Sequence, residues 1–226
     1  MNTVERKPLG FSIIAGIAAL LTGCAGWSDR DVPVAPEAIH FDASEAGGLP
    51  RGFSTALTGG GGPVSWVVRA DADAPGGYAL SQESADDTSY RFPLCVYEKV
   101  VAKDVAVEVN WKAISGKVDQ AGGIVLRYAP ENYYIARANA LEDNVDLFKT
   151  VNGNRVKIQE VPVKITAGNW HTLRFEARGK HLKVIFDGKG VIETNDSTFS
   201  RAGKVGLWTK ADSVSAFADL KIEPAN

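Results

Sequence analysis

Cysteine is scarce in this chain, with only Cys24 and Cys95 among 226 residues. A disulfide framework is therefore excluded as the source of stability. Histidine is nearly as rare. His40, His171 and His181 are scattered, with no cysteine or acid at ligand spacing, so no metal centre is read. Charge of one sign is also missing: 25 Lys+Arg stand against 27 Asp+Glu, a formal net charge of −2. That balance excludes an acidic disordered tail. With no basic patch interleaved with aromatics, it also excludes a nucleic-acid partner. There is no Gly-x-Ser-x-Gly elbow and no credible Ser-His-Asp order. The glycines at 59–62 lack the context of a phosphate cradle and read as a flexible surface loop. Beyond the first two dozen residues no apolar run follows helical spacing, and no internal repeat is found.

The N-terminus reads as an export signal. Arg6 and Lys7 precede an apolar run from Leu9 to Leu21, which is too short for a membrane span and right for a signal core. The run ends in Leu21-Thr22-Gly23-Cys24, which resembles a bacterial lipobox. An ordinary signal peptide with a chance cysteine is the alternative. The lipobox implies removal of residues 1–23, acylation of Cys24 and anchoring to a membrane of the bacterial cell envelope. Ala25 after the lipid site leans toward the outer membrane or its periplasmic face. Residues 24–37 then form a tether rich in proline and acids, and residues 38–226 form the domain. Cys95 sits in the strand-like run Tyr90–Tyr97 and reads as a buried apolar thiol.

Strand signals fill that domain. Val105, Val107, Val109 and Trp111 alternate with polar or small residues, giving a period of two with one buried face. Leu173, Phe175 and Ala177 repeat the pattern, as do Leu182, Val184 and Phe186. Asn152-Gly153 suits a type I′ hairpin, and turns are also expected at Asp187-Gly188 and around Gly179. Short strands at regular intervals with glycine-rich turns predict an all-β, antiparallel two-sheet β-sandwich.

Three segments together resemble the concanavalin A-like jelly rolls. They are Trp170–Ala177 with His181–Gly188, Gly206–Ser213 with Phe217–Leu220, and Gly122–Arg127 with Asn132–Arg137. The set is similar to the laminin-G-like and 3-keto-disaccharide hydrolase group, over roughly residues 40 to 223. That resemblance implies a jelly-roll fold, with either glycan binding or hydrolysis as its activity. No cofactor is expected, calcium being the one possibility. The group often has two acids in the last strand, the kind of pair that holds calcium in some jelly rolls, and here Ala218 replaces the first.

Glycan recognition needs flat aromatic faces and planar donors and acceptors. Period-two counting places Tyr133, Arg137 and Asn139 on one strand face, and Arg127 on the face shared by Val125. Asn144 lies just after the next turn, while Trp208 and Lys210 share a face of the closing strand. These seven residues form the expected ligand-binding set. The competing reading makes Arg137 a structural partner of Glu142 or Asp146 and puts Trp208 in the core, since an arginine between apolar positions must be paired. The candidate catalytic acids are Glu142, Asp146 and Asp212, although no Glu-x-Asp-x-x-Glu strand motif is present.

Three functions follow as expectations. The first is a monomeric envelope lipoprotein binding a glycan or small saccharide on a concave sheet. The second is a glycoside-cleaving hydrolase of the 3-keto-disaccharide kind, and the third is a structural adaptor.

Overall fold

The computed structural model describes Met1 and residues 34–225. The leader, the acylation site at Cys24 and most of the expected tether lie outside the described residues.

The domain is a sandwich of two antiparallel sheets. One contains β1 (Glu37–Ile39), β3 (Trp66–Ala70), β4 (Tyr78–Gln82), β6 (Val105–Ser115) and β11 (His171–Arg178). It is completed by β12 (His181–Phe186), β13 (Lys189–Asn195) and β15 (Val214–Glu223). Its strands run β13-β12-β11-β6-β15-β4-β3, with β1 added to β15. The other sheet contains β2 (Phe53–Gly59), β5 (Arg91–Ala102), β7 (Ala121–Ala129) and β8 (Asn132–Asn139). It also holds β9 (Asn144–Val151), β10 (Asn154–Pro162) and β14 (Gly203–Thr209), in the order β10-β9-β8-β7-β14-β5-β2.

The alternating stripes read from the sequence meet between the sheets. Val107, Val109, Trp111, Leu173, Phe175, Leu182, Val184 and Phe186 all belong to one buried cluster. Ile124, Leu126, Tyr134, Leu147, Val205 and Leu207 of the second sheet complete it. Burying this apolar surface is the main source of stability. Cys95 lies in the same cluster, and burial pushes its thiol well above the ordinary range. The hairpin tips behave as their residues require: Asn152 and Gly153 have φ of 48° and 78°, and Asp187 and Gly188 have 47° and 75°. Both pairs fit type I′ turns, whose twist matches that of the flanking strands.

The glycine segment at 59–62 differs from its reading as a flexible loop. The carbonyl of Gly62 accepts from the guanidinium of Arg91, which also donates to the carbonyls of Pro63 and Ala211 and to the Ser84 hydroxyl. Gly61 lies so close that a β-carbon there would come within 2.5 Å of Arg91 Cδ. The loop is a seat for a fully buried arginine.

The second sheet is strongly curled. Tyr90, just before β5, donates its hydroxyl to the Gly153 carbonyl at 2.9 Å and accepts the Arg155 backbone N–H at 2.6 Å. Both partners belong to the β9–β10 hairpin, although four strands separate β10 from β5 in the sheet. The far end of the sheet has thus bent round over its own outer face.

A charged ladder on the concave face of the second sheet

The outward face of the second sheet has an apolar half and a charged half. In the apolar half Phe92, Leu94, Val125, Tyr133, Ile135, Phe148 and Trp208 form a buried cluster separate from the intersheet core. Trp208 stacks on Phe92 with ring centroids 5.4 Å apart and planes 24° from parallel. Trp208 is therefore buried on this face, and the expectation of a core tryptophan is met only in its burial. Burial pushes the Tyr133 hydroxyl up to about 12, partly offset by the hydroxyls of Thr58 and Thr150 beside it.

Strand register brings the charged half together. Arg137 of β8 faces Gly123 of β7 on one side and Asp146 of β9 on the other, and Gly123 faces Trp208 of β14. Gly123 lets the neighbouring strand approach closely. A β-carbon there would come within 2.5 Å of the Ala136 carbonyl oxygen. Arg137 Nη2 lies 2.5 Å from Asp146 Oδ2, 2.6 Å from Asn144 Oδ1 and 2.8 Å from Glu142 Oε2. The side chains of Arg137 and Asp146 are only 2% and 1% exposed, whereas that of Glu142 is 43% exposed. Lys157 of β10 approaches Asp146 at 3.6 Å and pairs with Glu160. On the other flank Lys210 pairs with buried Asp119. Asp119 accepts from Asn139 Nδ2 at 2.7 Å, and Asn139 Oδ1 accepts the backbone N–H groups of Leu141 and Glu142. The result is a ladder of alternating charge that runs from Lys210 to Glu160 across the sheet.

The acids of the ladder are pushed in opposite directions. Burial raises the carboxyls of Asp146 and Asp119, and Arg137 and Lys210 respectively only partly offset it. Glu142 is held below its ordinary range. Burial opposes that shift, but Arg137, the Asn144 amide and Lys210 outweigh it.

Of the ligand-binding set expected from the sequence, Tyr133, Arg137, Asn139, Asn144, Trp208 and Lys210 gather on this face. Arg127 does not. A bulge between Leu126 and Ala129, with Arg127 itself at φ 53°, breaks the two-residue period and turns its side chain away. Its guanidinium lies over the Tyr134 ring and donates to the carbonyls of Lys103, Gly179 and Phe199. It ties loops together. Among the candidate catalytic acids, Glu142 and Asp146 share Arg137, but Asp212 is committed elsewhere. Its carboxylate accepts the backbone N–H groups of Lys117, Val118 and Asp119, which hold it below the ordinary range despite burial. That is a loop-capping role, not an acid–base one.

Sequence reading alone passed over Arg155, Lys157, Asp119 and Phe92. The Asn152-Gly153 turn held the signal for the first two. A two-residue turn sets Arg155 opposite Thr150 and Lys157 opposite Phe148, on the face of Asp146. No three His, Cys, Asp or Glu side chains converge at metal-binding distance among the described residues.

Fold and face together define a jelly-roll module that displays a polar, aromatic-backed concave sheet. The chain belongs to the 3-keto-alpha-glucoside-1,2-lyase-like domain family, whose model matches residues 70–223. It is 29% identical over 141 residues to the levanase of Bacillus subtilis (strain 168), which covers 62% of this chain and 18% of that enzyme. The chain thus spans less than a fifth of that relative. Among solved structures it resembles the carbohydrate-binding module CBM66 from Bacillus subtilis. That match has a TM-score of 0.60 and 25% identity, covering 76% of this chain and 95% of the module. It also shares the fold of domain 4 of AbnA, an extracellular arabinanase from Geobacillus stearothermophilus, solved with arabinotriose. There the TM-score is 0.55 at 15% identity, covering 83% and 91% of the two chains.

Proposed function

We propose that this domain binds a saccharide chain on the charged half of the concave face, between Trp208 and Lys157, in an envelope-anchored protein acylated at Cys24. One observation carries the reading. Arg137 Nε, Asp146 Oδ1, Arg155 Nη1 and Trp208 Nε1 are buried on this face without a hydrogen-bond partner among the described residues. Buried polar atoms are normally paired; these four stand behind a rim of donors and acceptors that vicinal hydroxyls, each both donor and acceptor, can reach. Half-exposed Glu142, Lys157 and Glu160 form the accessible rim above them. The likeness to CBM66 at 25% identity supports the same reading.

A second reading is cleavage of a 3-keto-glucoside. It is favoured by the family match and by two carboxyls, Asp146 raised and Glu142 lowered, held on one arginine nitrogen. Carboxyls pushed apart in this way suit paired acid and base roles.

Calorimetry of the purified protein against neutral fructo-, arabino- and gluco-oligosaccharides tests the binding reading, with incubation on a 3-keto-glucoside in parallel. Saturable binding that Glu142→Gln, at the accessible rim, weakens is expected. Turnover lost in Asp146→Asn would establish the second reading. A folded protein that retains no saccharide and turns none over leaves the adaptor role. Mass spectrometry of the membrane fraction checks the lipid on Cys24.

A further inference from the structure

Four arginines lie on strands of the second sheet, and the guanidinium groups of three of them hold oxygen acceptors. Arg91 donates to three carbonyls and a hydroxyl. Arg127 donates to three carbonyls and approaches Asp104 at 3.4 Å. Arg137 holds two acids and an amide. Arg155 is the exception. Its guanidinium lies 4.4 Å from the Phe148 ring centroid, 4.8 Å from that of Phe92 and 5.8 Å from that of Trp208. No carboxylate comes within ion-pair distance of it among the described residues, and its Nη1 is buried without a partner.

Its surroundings sharpen the point. Arg137 and Lys157 also sit over the Phe148 ring, at 5.4 and 5.7 Å, so three cations surround one phenyl group. Arg137 pairs with both Asp146 and Glu142, and Lys157 with Glu160. Arg155 alone has no carboxylate at ion-pair distance, Asp119 and Asp146 attracting it only from farther away. The aromatic rings fix its plane but cannot supply a counter-charge. A planar fork of donors held in place by rings, and beside a second guanidinium, matches an oxyanion.

We propose that Arg155 recognises an oxyanion on the bound saccharide, the carboxylate of a uronic acid or a sulfate ester, while the hydroxyls of the same chain meet the half-exposed rim of Glu142, Lys157 and Glu160. This rests on the saccharide-binding reading and narrows it from glycans in general to acidic ones. The acids Glu142, Asp146 and Glu160 line the same ladder, but each is already held by a cation, which leaves Arg155 as the group that selects.

Calorimetry with an oligogalacturonate and its fully methyl-esterified counterpart compares the same sugar with and without the charge. The acid should bind roughly tenfold or more tightly, as a charge-assisted pair does. The preference should shrink at about 1 M salt, where the Debye length is near 3 Å. Arg155→Gln should remove the preference while binding of the ester persists, and Arg155→Lys should keep part of it. A sulfated oligosaccharide with its desulfated form distinguishes the second source of the oxyanion. Should Arg155→Gln fail to fold, the ester comparison on the unaltered protein still decides. Equal binding of acid and ester, and of sulfated and desulfated chains, overturns the assignment while leaving the glycan reading intact. Absence of all saccharide binding, neutral or acidic, overturns both.

Discussion

Replacing Arg137 by alanine removes the centre of the charged ladder, and its cost can be worked from the contacts it leaves behind. Asp146, 1% exposed, loses its partner at 2.5 Å and keeps only half-exposed Lys157 at 3.6 Å. Asn144 and Glu142 lose their shared donor as well. Breaking a buried ion pair from one side costs about 3–5 kcal/mol, because an uncompensated charge remains. In a domain of this size that lowers Tm by roughly 10 °C. The Asp146 carboxyl is already raised by burial, and without Arg137 it rises further. An acid with a raised folded pKa favours folding when protonated. The deficit should therefore be largest near neutral pH and shrink as pH falls through that raised value toward the unfolded pKa of about 3.9. Urea melts of the variant and the parent at several pH values measure this. A double change, Arg137→Met with Asp146→Leu, should recover most of the stability while still failing to bind saccharide. A neutral-pH loss below about 1 kcal/mol in Arg137→Ala would refute the reasoning, since it would mean that Asp146 is not dependent on the pair.

Phe175 is fully buried between the sheets, so Phe175→Ala should lower stability by about 3–5 kcal/mol in denaturant melts; a loss under about 1 kcal/mol would place the strand on the wrong face. At Gly122 a β-carbon would come within 2.0 Å of Trp111 Nε1, so Gly122→Ala should destabilise by at least about 1–3 kcal/mol, with displaced Trp111 resonances in an NMR spectrum. Asp196 is held below the ordinary range. Burial opposes this, but Lys149, Thr198 and Tyr134 outweigh it. A depressed pKa contributes stability above the unfolded value and loses it as pH falls through the folded one. Asp196→Asn should therefore be less stable than the parent at pH 7 and converge with it in acid; an unchanged gap in acid melts would contradict the ion pair.

Period two was enough to read the intersheet core, because a strand with one buried face writes its burial directly into alternate residues. It was also enough for Arg137, which sits in an unbroken strand between Ile135 and Asn139. It failed at Arg127, six residues from Tyr133, because that residue itself sits at positive φ in a bulge and nothing in Leu-Arg-Tyr-Ala announces one. The commitment of Asp212 to three backbone N–H groups was equally silent, since its partners stand some 95 residues away. The cage around Arg155 was hidden for another reason. Phe92, Trp208 and Arg155 meet only because the sheet curls until β10 reaches β5, and curl belongs to the whole sheet rather than to any strand.

The two halves of the concave face solve one problem in different ways, and the difference bears on function. Both halves belong to a single sheet, and both lie largely out of water. Phe92, Leu94, Val125 and Ile135 do this with apolar packing, which needs no partners and no desolvation of charge. The neighbouring half holds Arg137, Asp146, Asp119 and Asn139 almost wholly buried. For stability alone, well-packed apolar side chains at those positions would serve as well or better. The same strands demonstrate that the fold accepts them, since Ile135 and Phe148 are only two residues from Arg137 and Asp146. The proposed saccharide site accounts for a ladder built at greater energetic cost beside a simpler alternative and left with unpartnered donors and an unpartnered acceptor.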